Sequence, residues 1–165
     1  LACMVYEGTD LNDTTEVTKD NVVAYLTSMR KGIKNAHGKA NFVLVSTDIY
    51  ALLLQVLGLA YSADEATRTG ELMKRFGLTI IECNSFDKSG VKFYDYSGTE
   101  RTVDLSNVDM ICGYNEAFSV IDNFSMARIV DSENFAGSKA QVEVNTAFRV
   151  NSPAQIIVKK HAASV

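Results

Sequence analysis

Asn41-Phe42-Val43-Leu44-Val45-Ser46-Thr47-Asp48-Ile49-Tyr50-Ala51-Leu52-Leu53 changes its period at the midpoint. Phe42 to Val45 is a continuous apolar run of strand length, the kind found where a sheet is covered on both faces. Beyond Ser46 the apolar residues return three and four apart, at Ile49, Leu52, Leu53, Val56 and Leu57, which draws one stripe along a helix. Ser46 and Thr47 stand where side-chain oxygens cap the first free amides of that helix, and Gly58 supplies its stop. A buried strand running straight into an amphipathic helix predicts a sheet with helices laid on it.

The neighbouring segments extend the same pattern. Before the strand, Val22, Leu26, Met29 and Ile33 recur at helical spacing from Thr18 to about Ala36, with Thr18 placed as the cap and Gly38 near the end. After it, Ser62 and Glu65 have capping-box spacing, and Ala66, Met73 and Phe76 mark a third helix that Gly77 stops. Leu78 to Cys83 and Val108 to Cys112 read as two further buried strands. Between them, Val91–Tyr96 and Glu100–Asp104 are expected to form an exposed hairpin turned at Ser97-Gly98.

Towards the end a short strand is expected over Phe118–Ile121. The clearest alternation follows: Ala140, Val142, Val144, Thr146, Phe148 and Val150 interleave with Gln141, Glu143, Asn145, Ala147 and Arg149, predicting a long half-buried strand. Asn151-Ser152-Pro153 turns the chain into Ile156-Ile157-Val158, which is expected to pair antiparallel with its predecessor. The element order is that of an α+β protein with a mixed central sheet flanked by helices.

Composition excludes several functions. With 47% hydrophobic and 22% charged residues over 165 positions, the chain has material for one core, and it lacks linkers and repeats. A single domain over 1–165 is expected: an N-terminal segment 1–17, a core of about 18–125, and closing strands of about 126–165. Twenty acidic and 16 basic side chains are scattered along the chain, so no basic face for nucleic acid is expected. Ile49 to Leu59 is too short to cross a bilayer, so no membrane partner is expected. The first residue is Leu1, and no secretion signal follows, which suggests a fragment of a longer protein. Cys3, Cys83 and Cys112 form no close pair and fit a reducing compartment. Asn12-Asp13-Thr14 and Asn123-Phe124-Ser125 match the glycosylation triplet, which means little without a secretory route.

Chemistry is sparse. Gly32 to Ala40 approaches a phosphate-binding loop, but five residues separate its two glycines where the loop needs four, Ala40 replaces the metal-binding hydroxyl, and the segment ends a helix. It reads as a lysine-rich helix end favoured by the helix dipole. His37 and His161 stand alone in polar, exposed segments. Cys83 and Cys112 fall inside strands, where burial suppresses thiol reactivity. Asp10, Asn12 and Thr14 imitate the start of a calcium loop, yet Thr15 and Asn21 replace its glycine and its glutamate. Asp64, Glu65 and Glu71 could be paired carboxylates for acid/base work, but two of them belong to a helix's first turn, where negative charge is stabilising anyway. Tyr94 and Tyr96 are either a recognition surface or the packed face of a ribbon. No catalytic, cofactor-binding or metal-binding residue is assigned, no cofactor is expected, and the chain is not read as an enzyme.

The segment 18–86 resembles the axial domain of tailed-bacteriophage major capsid proteins of the Hong Kong 97 type. The residues carrying the likeness are Val45, Ser46, Tyr50 and Leu53 at the strand-to-helix junction, then Ile80 and Asn84 on the strand after Gly77. Met110-Ile111-Cys112-Gly113-Tyr114-Asn115-Glu116-Ala117 is similar to that family's strand and turn before its closing strands, and Ala140–Lys159 to the segment returning to the peripheral domain. Such proteins also carry an N-terminal arm, an extended loop and a long spine helix ahead of the axial domain, which this chain has no room for. The resemblance implies a structural subunit of a phage or prophage icosahedral capsid, self-assembling into pentamers and hexamers around packaged DNA. It implies copies of the chain as partners, scaffolding protein as a further one, and a virion assembled in the bacterial host cytoplasm. An encapsulin-like cage subunit shares the fold. The loops near 58–65 and 85–107 are the expected contacts between subunits. The alternatives are another phage assembly component, such as a tail or connector protein, and a small-molecule-binding α/β enzyme domain.

Overall fold

The computed structural model describes residues 1–58, 76–95, 97–131 and 137–162, with the backbone alone at 121–125 and 143–147. The third expected helix, over 62–76, with Asp64, Glu65 and Glu71, and the contact loop 58–65 beyond Gly58 lie outside the described residues, as does Tyr96.

A mixed five-stranded sheet forms the centre. Its strands are β1 (Thr9–Asp10), β2 (Phe42–Val45), β3 (Thr79–Glu82), β6 (Val108–Gly113) and β9 (Ile156–Lys160), in the order β1-β9-β6-β2-β3. β2 and β6 are antiparallel, with Val43 opposite Cys112, while β2 and β3 run parallel, with Val43 opposite Ile80. Alternation along β2 divides the core in two. Val43 and Val45 face α2 (Val22–Asn35) and α3 (Thr47–Val56), joining Leu26, Met29, Ile33, Ile49 and Leu53 in one buried cluster. Phe42 belongs to the opposite cluster with Met4, Val5, Phe86, Leu105 and Ile111, where the short helix α1 (Ala2–Glu7) lies.

Two ribbons leave this centre. β4 (Val91–Tyr94) and β5 (Glu100–Val103) form the expected hairpin, held to α1 by an edge-to-face contact of Tyr6 and Phe93 at 5.4 Å. β7 (Phe118–Asp131) and β8 (Ser138–Val150) form a much longer one, paired from Phe118–Val150 out to Asp131–Ser138 with a bulge between Asp122 and Phe124.

Several expectations are corrected. Residues 2–7 of the N-terminal segment are helical, because Met4 and Val5 close the second cluster. Thr18 caps α2 through its backbone carbonyl, which accepts the amide of Val22, while its amide is bonded by Asn21 Oδ1. Ser46 does cap α3, accepting from the Ile49 amide at 3.4 Å. β3 is an edge strand in which only Ile80 is buried, so its continuous apolar run reflects one covered face. The strand at Phe118–Ile121 is the base of the much longer β7. β9 does not pair with β8: it lies antiparallel to β6, with Ile157 opposite Cys112, and parallel to β1, with Thr9 opposite Ile157. Ile156, Ile157 and Val158 bury more area inside the sheet than a hairpin return would give them.

Candidate functional site

α2, β2 and β9 all run between the same two ends of the sheet, and charge divides between those ends. At one end a groove of about 1360 Å³ opens between the chain at 14–19, the start of α3, the turn at 84–87 and the end of β9. Glu16, Asp48, Asp87 and Asp109 line it, against Lys19 and His161. At the other end, α2 finishes with exposed Arg30, Lys31, Lys34 and His37, followed by exposed Lys39. His37 takes a left-handed φ of 61° there, and Gly38 donates back to Ile33, so the Gly32–Ala40 segment is a helix terminus and forms no phosphate loop.

The groove floor holds a buried polar network. Lys159 is fully buried; its Nζ donates to the carbonyls of Thr15 (2.6 Å) and Lys160 (2.9 Å) and lies 4.8 Å from the Tyr25 ring centre. Asp109 is 8% exposed: Oδ1 accepts from His161 Nδ1 at 2.8 Å, while Oδ2 has no hydrogen-bond donor and stands 3.8 Å from Lys159 Nζ. Tyr25 donates to Asp13 Oδ2 at 2.9 Å. The Thr15 amide and hydroxyl, with that phenol, hold the Asp13 carboxyl below its ordinary range. His161 is therefore a bonded, partly buried residue, contrary to the expectation of an exposed one. Sequence reading missed Lys159. The available signal was the alternation of β9, which continues past Ile157 and puts residue 159 on the helix-covered face.

The other candidates do not converge. Asp10 pairs with Lys160 at 2.8 Å and Asp13 is committed to Thr15 and Tyr25, so these two carboxylates of the calcium-loop imitation are held by protein partners. Cys112 is wholly buried in β6, and burial pushes its thiol up to about 12. Cys83 lies just past β3 and lines the groove half-buried, and burial also raises the Cys3 thiol. In the β4–β5 turn, the Ser97 hydroxyl, Arg101 and the Ser97 and Thr99 amides gather on Asp95 and hold its carboxyl well below the usual range. Tyr94 is 71% exposed beside that turn. No group of three or more metal-ligating side chains occurs among the described residues.

Two apolar surfaces are open. A hollow of about 700 Å³ beside β2 and β3 is lined by Phe42, Leu44, Ile81 and Phe118. On the β7–β8 ribbon, register places Val120, Ala127 and Ile129 on one face with Ala140, Val142 and Phe148. Phe148 stacks on Phe118 at the base, but Val120 is 59%, Val142 74% and Ile129 77% exposed.

No protein-family model matches the sequence, and no curated protein matches it. Solved structures do. A chain in the capsid structure of cyanophage P-SCSP1u is similar at 14% identity and a TM-score of 0.68, over 99% of this chain and 60% of that one. A chain of Mycobacterium phage Che8 is similar at 15% identity and a TM-score of 0.64, over 96% of this chain and 55% of that one. A chain of a virus-like particle from Pyrococcus furiosus is similar at 14% identity and a TM-score of 0.56, over 95% of this chain and 58% of that one. The mixed sheet with its flanking helices and long ribbon is thus the fold found in phage-capsid and virus-like-particle chains, and this chain spans 55 to 60% of the length of these three.

Proposed function

We propose that the chain is the structural subunit of a phage or prophage icosahedral capsid of the Hong Kong 97 type. Copies of it form pentamers and hexamers around packaged DNA, in a virion assembled in the host cytoplasm. The observation that carries the reading is the likeness of nearly the whole chain, 99% of it, to a chain of a cyanophage capsid. The physical character of the surface agrees. A two-stranded ribbon has marginal stability alone in water. One that carries Val120, Ile129 and Val142 exposed on a single face is built to be covered by another surface. In this reading the central sheet and its helices are the axial-domain core, about 18–125, and the strands of about 126–165 close it.

The chain's work is mechanical. It needs no catalytic residue and no cofactor, and its partners are its own copies, with scaffolding protein during assembly. The test is expression of the gene product containing this chain, followed by negative-stain microscopy. Closed icosahedral particles are the expected result. Tubes, or rings of one fixed size, would assign it to a tail or connector instead.

A further inference from the structure

We infer that copies of this chain associate head to tail, the lysine-bearing end of α2 of one copy seating in the acidic groove at the opposite end of the next. The inference rests on the capsid reading, for which it supplies the contact that closes a ring.

α2 has 14 residues, so its two ends lie about 21 Å apart. Thr18 and Lys19, just before it, line the groove. Beyond its far end, Gln155 at the start of β9 bonds the Ala36 carbonyl, and β9 then returns to His161, again in the groove. The two charged surfaces therefore sit at opposite poles and cannot satisfy each other within one molecule. Among the described residues, Glu16, Asp48 and Asp87 pair with no cation, and Lys31, Lys34 and Lys39 pair with no carboxylate. Glu116, the acid at the basic pole, is bonded by the Tyr114 hydroxyl.

The acids open to a partner are Glu16, Asp48 and Asp87, which line the groove exposed, while the buried Oδ2 of Asp109 already stands 3.8 Å from Lys159 Nζ beneath them. An ammonium on a long flexible stem supplies three donors. Seated pole on pole, complementary patches make a heterologous contact, which closes into rings when the rotation allows and gives open chains when it does not. Exposed ion pairs are weak one by one and screened by salt, so association of the chain is weak, salt-sensitive and cumulative in a shell.

The test is a charge exchange in the 165-residue chain. K31E/K34E/K39E makes both poles acidic, and E16K/D87K makes both basic. Sedimentation velocity is run on each variant, on the parent and on their mixture, between about 20 mM and about 500 mM salt. The parent is expected to self-associate at low salt only. Each variant alone should associate about tenfold more weakly or less, and the mixture should regain association as alternating species with even copy numbers. A parent that stays monomeric at low salt, variants that associate like the parent, or a mixture that gains nothing would each overturn the inference. Thermal unfolding verifies the fold of each variant, and the neutral pair K31Q/K34Q/K39Q and E16Q/D87N, expected to weaken association without rescue on mixing, replaces any variant that unfolds. The capsid reading is read separately: particles formed by the E16K/D87K gene product as readily as by the parent sink the head-to-tail contact alone, while no particles from the parent sink the reading itself.

Discussion

The central sheet and the β7–β8 ribbon are built from the same kind of sequence and meet opposite fates. β6 is buried at every position from Val108 to Gly113, having a neighbour strand on each side and a cluster on each face. β8 has a cleaner alternation than any strand of the sheet, yet Val142 in it is 74% exposed. An apolar face on a strand records that something covers it and leaves open whether the cover belongs to the same chain. In the sheet the cover is α1, α2 and α3. Among the described residues, the ribbon is met by the rest of this chain at its base, at Phe118, Phe148 and Val150.

The comparison breaks first at Lys159. Among the described residues it is the one charged side chain wholly enclosed in the sheet's helix-side layer, with Asp109 beside it. Removing one partner of a buried pair leaves the other charge uncompensated, so Lys159→Ala should cost about 3–5 kcal/mol in urea unfolding. A loss below about 1 kcal/mol would mean that water reaches Asp109, as it reaches an exposed pair. Leu53→Ala, at the fully buried centre of α3, should cost about 2–5 kcal/mol by the cavity it leaves. Gly113→Ala comes next. A methyl there would run into the Phe42 ring, and overpacking of that kind costs about 1–3 kcal/mol. Relief by Phe42→Leu in the double variant would identify the ring as the cause.

What sequence could reveal divides along the same line. α2, β2, α3 and β6 were legible because period, cap and stop all lie within a few residues of one another. Gly77 and Gly98, at φ of 61° and 76°, were legible for the same local reason. The partner of β9 was not: pairing with β6 joins residues 45 positions apart at Cys112–Ile157 and pairing with β1 joins residues 148 apart at Thr9–Ile157, and no local signal distinguishes either from a hairpin with β8. The burial of Lys159 was hidden because a lysine is expected at the surface, and only tertiary placement supplies Thr15, Tyr25 and Asp109 around it. The groove was invisible for a further reason. Glu16, Asp48, Asp87 and Asp109 come from four separate segments, and along the chain each looks like an ordinary solvated acid.

The smallest effect is expected on the ribbon, and there the comparison is sharpest. In the isolated chain Val142 and Ile129 are already in water, so replacing them removes almost no burial, and V142S/I129S should leave unfolding within about 0.5 kcal/mol of the parent. The same change made in a sheet strand, such as Val43→Ser, takes a fully buried side chain out of the core and leaves a hydroxyl to be satisfied. Covering the ribbon in an assembly would give those two side chains the burial they lack, on the order of 1.5–3 kcal/mol each. V142S/I129S should therefore be silent in the unfolding of the single chain and disruptive to particle yield from the gene product. If the variant unfolds several kcal/mol early as a single chain, the ribbon's cover lies within this molecule, and the contrast between the two regions fails.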